Sequence, residues 1–260
     1  MTLLKEKQVQ KTQDIITNRV LIFFGVTAIF LWAISYLSRA FDYAVSFRAA
    51  CTVSVVLIFA GAAGFFAALL WQNRRIRSGK AAEAALSGYT LAWFALALSG
   101  ASAMMRFYSY TLTMRILYVA MPVAAILYLI YYVYPRVFFT LCFTHSIMAF
   151  LLWGVAKTSD WAGESFLCWA LFGLGELVCV ASLGLVAVAS RHGGSVPVLG
   201  RSVNVFGKKM NVKALAAAYL VPMALFVAAV LLGIPFAFYA LWVVLGFLLL
   251  CAVYFTVRML

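Results

Sequence analysis

The sequence predicts an all-α, polytopic integral membrane protein with eight transmembrane helices and both termini in the cytoplasm. Three observations predict it. Hydrophobic residues make up 67% and charged residues 10% of the 260-residue chain, whereas soluble domains carry about 25% charged residues. The apolar residues gather in eight runs, most of which reach the roughly 18–25 residues that cross about 30 Å of hydrocarbon. The cations between the runs sort by side. Of twenty lysines and arginines, fifteen share one face if the spans alternate, and only Arg39, Arg48, Arg106, Arg115 and Lys157 fall on the other. The loops are short, the case in which positive charge marks the cytoplasmic side.

Residues 1–18 read as a polar cytoplasmic tail, and residues 19–260 as a single eight-helix membrane domain. The first run, Val20–Leu37, has span length and no A-x-A cleavage site, so it is read as a retained anchor. The second, Ala49–Trp71, carries Ala60, Gly64 and Ala68 at intervals of four, and the third, Gly88–Met105, carries Ala95, Ser99 and Ala103 likewise. Small residues at that spacing let helix backbones approach in lipid, where packing drives association. Ile116–Tyr134 is interrupted by Pro122 and ends in an aromatic belt. Pro135 turns the chain into Val137–Ala156, and Ser165–Ser190 follows. Ala214–Gly233 is interrupted by Pro222, and Gly233-Ile234-Pro235 makes the turn into the last run, Pro235–Val257.

Among the connections, Ser38–Arg48 and Arg106–Arg115 read as aromatic external loops and Gln72–Ser87 as a basic internal one. In the longest loop, Ser190–Lys213, the segments Val203–Phe206 and Lys209–Val212 alternate about Gly207-Lys208, which predicts a type II′ hairpin.

The formal net charge is +13. Its placement in loops on one side argues against nucleic acid as the partner. It points instead to membrane topology, to attraction for anionic lipid headgroups, and to a cytoplasmic partner protein at the basic inner loops. The cysteines Cys51, Cys142, Cys168, Cys179 and Cys251 all lie inside spans, which is not the framework of a disulfide-bonded secreted domain.

Two titratable residues fall near the middle of apolar runs: His145 in the fifth and Glu176 in the sixth. A carboxylate at that depth costs several kcal/mol and faces the bundle interior, where it pairs or works. Consecutive spans are neighbours, so a His145–Glu176 hydrogen bond or ion pair is expected, read either as a structural pair or as a midplane site for substrate or protons. Cys142 precedes His145 by one helical turn and Cys179 follows Glu176 by one, which puts all four side chains in one layer. Thiolate, imidazole and carboxylate are zinc ligands. No cofactor is expected, since buried thiols acting as small apolar side chains are the plainer reading; zinc is the alternative these ligand types offer.

The chain has no H-E-x-x-H, no G-x-S-x-G and no P-loop, so it lacks those metalloprotease and serine-hydrolase signatures and does not hydrolyse ATP itself. The expectation is a transporter or permease-like subunit of the cell membrane, moving a small molecule or ion past His145 and Glu176. The alternative is a membrane sensor or scaffold without catalytic activity. An intramembrane enzyme stands third.

Overall fold

The computed structural model describes residues 2–78, 87–158, 165–198, 201–206 and 211–259. Among them are eight helices: α1 (Thr2–Ala40), α2 (Ala44–Arg77), α3 (Gly88–Phe107), α4 (Tyr110–Val133), α5 (Arg136–Thr158), α6 (Ser165–Arg191), α7 (Val212–Leu232) and α8 (Ile234–Met259). Each contains a stretch long and apolar enough to cross a membrane. Two short strands, β1 (Ser195–Val198) and β2 (Arg201–Asn204), lie between α6 and α7.

The helices run past the hydrocarbon boundaries suggested by hydropathy. The connection expected at Ser38–Arg48 shortens to three residues between α1 and α2, and the one at Arg106–Arg115 shortens to two between α3 and α4. Continuing a helix satisfies every backbone donor and acceptor in the headgroup region, where an open loop must rely on water. Residues 2–18 are helical and continuous with the helix of the first span.

The chain forms two compact units, Met1–Leu129 and Ile130–Leu260, with the boundary inside α4. In the first, α2 and α3 are locked together by small residues. A Cβ built on Gly61 would stand 2.7 Å from the carbonyl oxygen of Ala95 and 2.9 Å from Cβ of Ser99. The backbones meet there, and Ser99 Oγ donates to the carbonyl of Ile58 at 3.0 Å. Ala95 and Ser99 of the expected α3 stripe make the contact, and on α2 Gly64 and Ala68 reach α3 as expected, while Gly61 in place of the exposed Ala60 makes the closest approach. Aromatic contacts bind α1 to α4 in antiparallel sense: Phe41 stacks on Tyr110 near one end, and Phe23 on Tyr128 near the other.

The second unit is a four-helix ring in which α5 packs on α6, α6 on α7, α7 on α8 and α8 on α5. Its core includes Met148, Leu152, Val155, Cys179, Tyr219, Phe226 and Val244, all essentially inaccessible. The turns at Pro135 and Gly233 fall where the sequence places them. Phe138 and Phe139 N–H donate to the Pro135 carbonyl, and Gly233 ends α7 at φ 93°.

The hairpin is present but displaced. β1 and β2 pair antiparallel with Ser195 opposite Asn204 and Val198 opposite Arg201. Two local signals outweigh the alternation further along. Gly193 at φ 62° ends α6, with the Gly194 N–H returning to the Ala189 carbonyl at 2.7 Å, and this close turn launches the chain directly into β1. Asn211, expected inside a strand, instead caps α7 by accepting the Ala214 N–H on Oδ1. The expected Gly207-Lys208 turn lies outside the described residues.

Candidate site in the second helical unit

α5 is the most enclosed of the spans, with 50% of its most apolar window buried against 11% for α2. His145, near its middle, is fully buried. Its Nδ1 lies 2.9 Å from the carbonyl oxygen of Leu141, one turn back on the same helix. Its Nε2 lies 3.0 Å from the carbonyl oxygen of Ala218 on α7. The ring packs against Phe247 of α8 at a centroid distance of 5.1 Å and Tyr219 of α7 at 5.5 Å. Beside it, Thr144 Oγ1 bonds the Thr140 carbonyl at 2.9 Å and meets the Tyr219 hydroxyl at 3.2 Å.

The Ala218 carbonyl is available for a covalent reason. In a regular helix it would accept the N–H of residue 222, but that residue is Pro222, buried inside α7. Proline has no N–H and leaves the carbonyl four residues back without its helical donor. His145 supplies the replacement from a different helix. A neutral imidazole carries one N–H, and the Leu141 carbonyl is already part of the α5 hydrogen-bond ladder. A neutral ring can donate to only one of the two carbonyls, and the Ala218 carbonyl, which lacks its helical donor, has the greater need of the proton on Nε2.

This arrangement corrects the expected His145–Glu176 hydrogen bond. Both ring nitrogens face backbone carbonyls of α5 and α7. α5 and α6 do pack together, but His145 and Glu176 do not meet in a hydrogen bond. The expected zinc layer of Cys142, His145, Glu176 and Cys179 is not assembled either. Among the described residues, no group of three or more His, Cys, Asp or Glu side chains is arranged to hold a metal ion. Cys142 and Cys179 are buried free thiols, and Cys179 packs within the core of the ring.

Glu176 occupies a different position. It sits on α6 between an inner face of Phe172, Gly175 and Cys179 and an outer face of Leu174, Leu177 and Val180. Its side chain is half-buried, and its Oε1 is enclosed without a hydrogen-bond partner among the described residues. The neighbouring Gly175 explains how α6 comes so close to α7 at this level: a Cβ there would overlap the ring of Phe226. Glu176 is thus held on a closely packed helix with an uncommitted acceptor at mid-span. A carboxyl group so placed can take up a proton, a cation or a donor group of a solute.

No family model, curated protein or solved structure matches this chain. The functional argument therefore rests on the residues themselves. Ala218, Tyr219 and Phe247 are site residues that composition and spacing do not single out. Pro222 is a signal in the sequence that leads to Ala218, since it marks that carbonyl as lacking its helical donor.

Proposed function

We propose that this multi-pass membrane protein is a transporter or permease-like subunit of the cell membrane, with Glu176 as its proton- or cation-binding carboxyl group and both termini in the cytoplasm. One observation carries the reading: Glu176 Oε1 is buried on an apolar, span-length helix without a hydrogen-bond partner among the described residues. Ionisable groups at that depth are costly, and where they occur they mark ion, proton or substrate paths. In this proposal His145 is a positioning residue. It steadies α7, which stays helical through Pro222, while Glu176 meets the transported species. The distribution of basic residues supports the orientation, with anionic headgroups and a cytoplasmic partner protein as the counterparts of the inner loops.

A sensor or scaffold is the second reading, and one observation favours it. The interior around His145 is closely packed, with that side chain wholly enclosed and both its nitrogens facing backbone carbonyls. A signalling membrane domain can be solid throughout, whereas a carrier must admit water to its site. The two readings separate on the reactivity of Glu176→Cys. In membrane vesicles a small, water-soluble methanethiosulfonate should modify the introduced thiol, with the adduct located by peptide mass. An inert thiol at 176 in a folded protein favours the scaffold.

A further inference from the structure

At the C-terminal end of α2, Arg75 lies over the ring of Trp71, its guanidinium carbon 4.3 Å from the ring centroid. The two residues are one helical turn apart, and the contact is a cation–π interaction. Arg75 Nη1 is buried and has no hydrogen-bond partner among the described residues. Next to them Gln72 is buried, and its Oε1 accepts the N–H of Gly88 at 2.7 Å. That bond ties the first residue of α3 to the same corner and adds the positive end of a helix dipole.

Three arginines end α2: Arg74, Arg75 and Arg77. Arg74 and Arg77 are exposed, which is the ordinary arrangement of cations that complement a helix C-terminus. Arg75 is not used that way. It turns back onto Trp71, away from the terminal carbonyls, and keeps N–H capacity that no acceptor meets. A guanidinium presents five N–H donors in a planar fork that matches phosphate oxygens. The side chain as a whole is half-buried, so part of it stays accessible from the headgroup region although Nη1 itself is enclosed. Tryptophan at the end of an apolar span sits at headgroup depth, which sets the kind of phosphate available there.

We propose that Trp71 and Arg75, flanked by Arg74 and Arg77, form a binding site for the phosphate of an anionic phospholipid headgroup. Trp71 orients the guanidinium, Arg75 bonds the phosphate oxygens, and the two exposed arginines supply the field that favours an anionic lipid over a zwitterionic one. The site is independent of Glu176 and of transport.

The test is native mass spectrometry of the full chain in a neutral detergent, titrated with phosphatidylglycerol or with phosphatidylcholine of the same acyl chains. Phosphatidylglycerol should be retained preferentially. Arg75→Gln should weaken its retention about fivefold, the factor equivalent to about 1 kcal/mol for one basic residue at an anionic surface. Arg48→Gln, at an exposed position near the other end of α2, should leave retention unchanged. Trp71→Leu keeps every charge and should also weaken retention, which provides a second test if Arg75→Gln elutes as aggregate. Equal retention of the two lipids overturns the proposal, as does an equal effect of Arg48→Gln and Arg75→Gln. Retention of added inorganic phosphate without retention of lipid also overturns it, since the ligand would then be free phosphate.

Discussion

His145 Nε2 stands 3.0 Å from the carbonyl oxygen of Ala218, and the bond joins two helices at the point where one of them is chemically incomplete. Pro222 removes the donor that Ala218 would have had within α7. The donor comes from α5, and α7 keeps its course through the ring of four helices despite the proline.

This relationship makes a double-mutant prediction. His145→Leu leaves the Ala218 carbonyl buried and unpaired, at a cost of about 1–3 kcal/mol. Pro222→Ala restores a backbone N–H in reach of that carbonyl. The double variant should therefore be more stable than the sum of the single effects predicts, by about 1 kcal/mol, a typical coupling for residues sharing a partner. Unfolding in mixed micelles measures all four corners of the cycle. Strict additivity would mean that His145 is not acting on the proline-freed carbonyl.

A second prediction concerns the ring itself. Selective ¹⁵N labelling of histidine should show the neutral His145 protonated on Nε2 and bare on Nδ1, because Pro222 removes the ordinary helical donor of the Ala218 carbonyl. A neutral ring with its proton on Nδ1 contradicts this account of the site.

The close helix contacts predict which glycines matter. Gly61→Ala places a methyl group against backbone atoms of α3, and Gly175→Ala places one in the ring of Phe226. Overpacking of this kind costs about 1–3 kcal/mol. Gly25→Ala and Gly100→Ala meet nothing within 4 Å and should leave thermal unfolding nearly unchanged. Phe226→Leu should recover part of the Gly175→Ala loss but none of the Gly61→Ala loss.

Orientation is tested by single introduced cysteines at exposed positions between helices. Ser78→Cys and His192→Cys should be protected from an impermeant maleimide in intact cells, whereas Tyr43→Cys and Tyr108→Cys should react. All four positions are exposed in the structure. Strong labelling at Ser78 in sealed cells contradicts a cytoplasmic loop between α2 and α3.

The eight spans were legible because the hydrophobic requirement of a bilayer is written residue by residue. The turns at Pro135 and Gly233 were legible because proline and glycine restrict the backbone locally. Helix rotation was less so. Reading α5 and α6 as neighbours was correct, but a turn of about 100° per residue about either axis decides whether His145 meets Glu176. That rotation is set by contacts such as Gly175 against Phe226, which involve a third helix. Spacing along one helix therefore put Cys142 with His145 and Cys179 with Glu176 without bringing the two pairs together. The hairpin was misread for a related reason. Its register follows from how α6 ends at Gly193, and the alternation of residues 203–212 carried no information about that ending.

The central claim is that Glu176 works as a proton- or cation-binding group in transport, and proton movement through the purified protein tests it most directly. Proteoliposomes loaded with a pH-sensitive dye and given an imposed pH gradient should lose the gradient faster than protein-free vesicles. Glu176→Gln should abolish the excess rate while eluting and unfolding like the parent protein. His145→Gln, which keeps a donor for Ala218, should retain it. An excess rate that survives Glu176→Gln, or no excess rate with the parent protein across a panel of candidate solutes and ions, contradicts the claim and favours the scaffold.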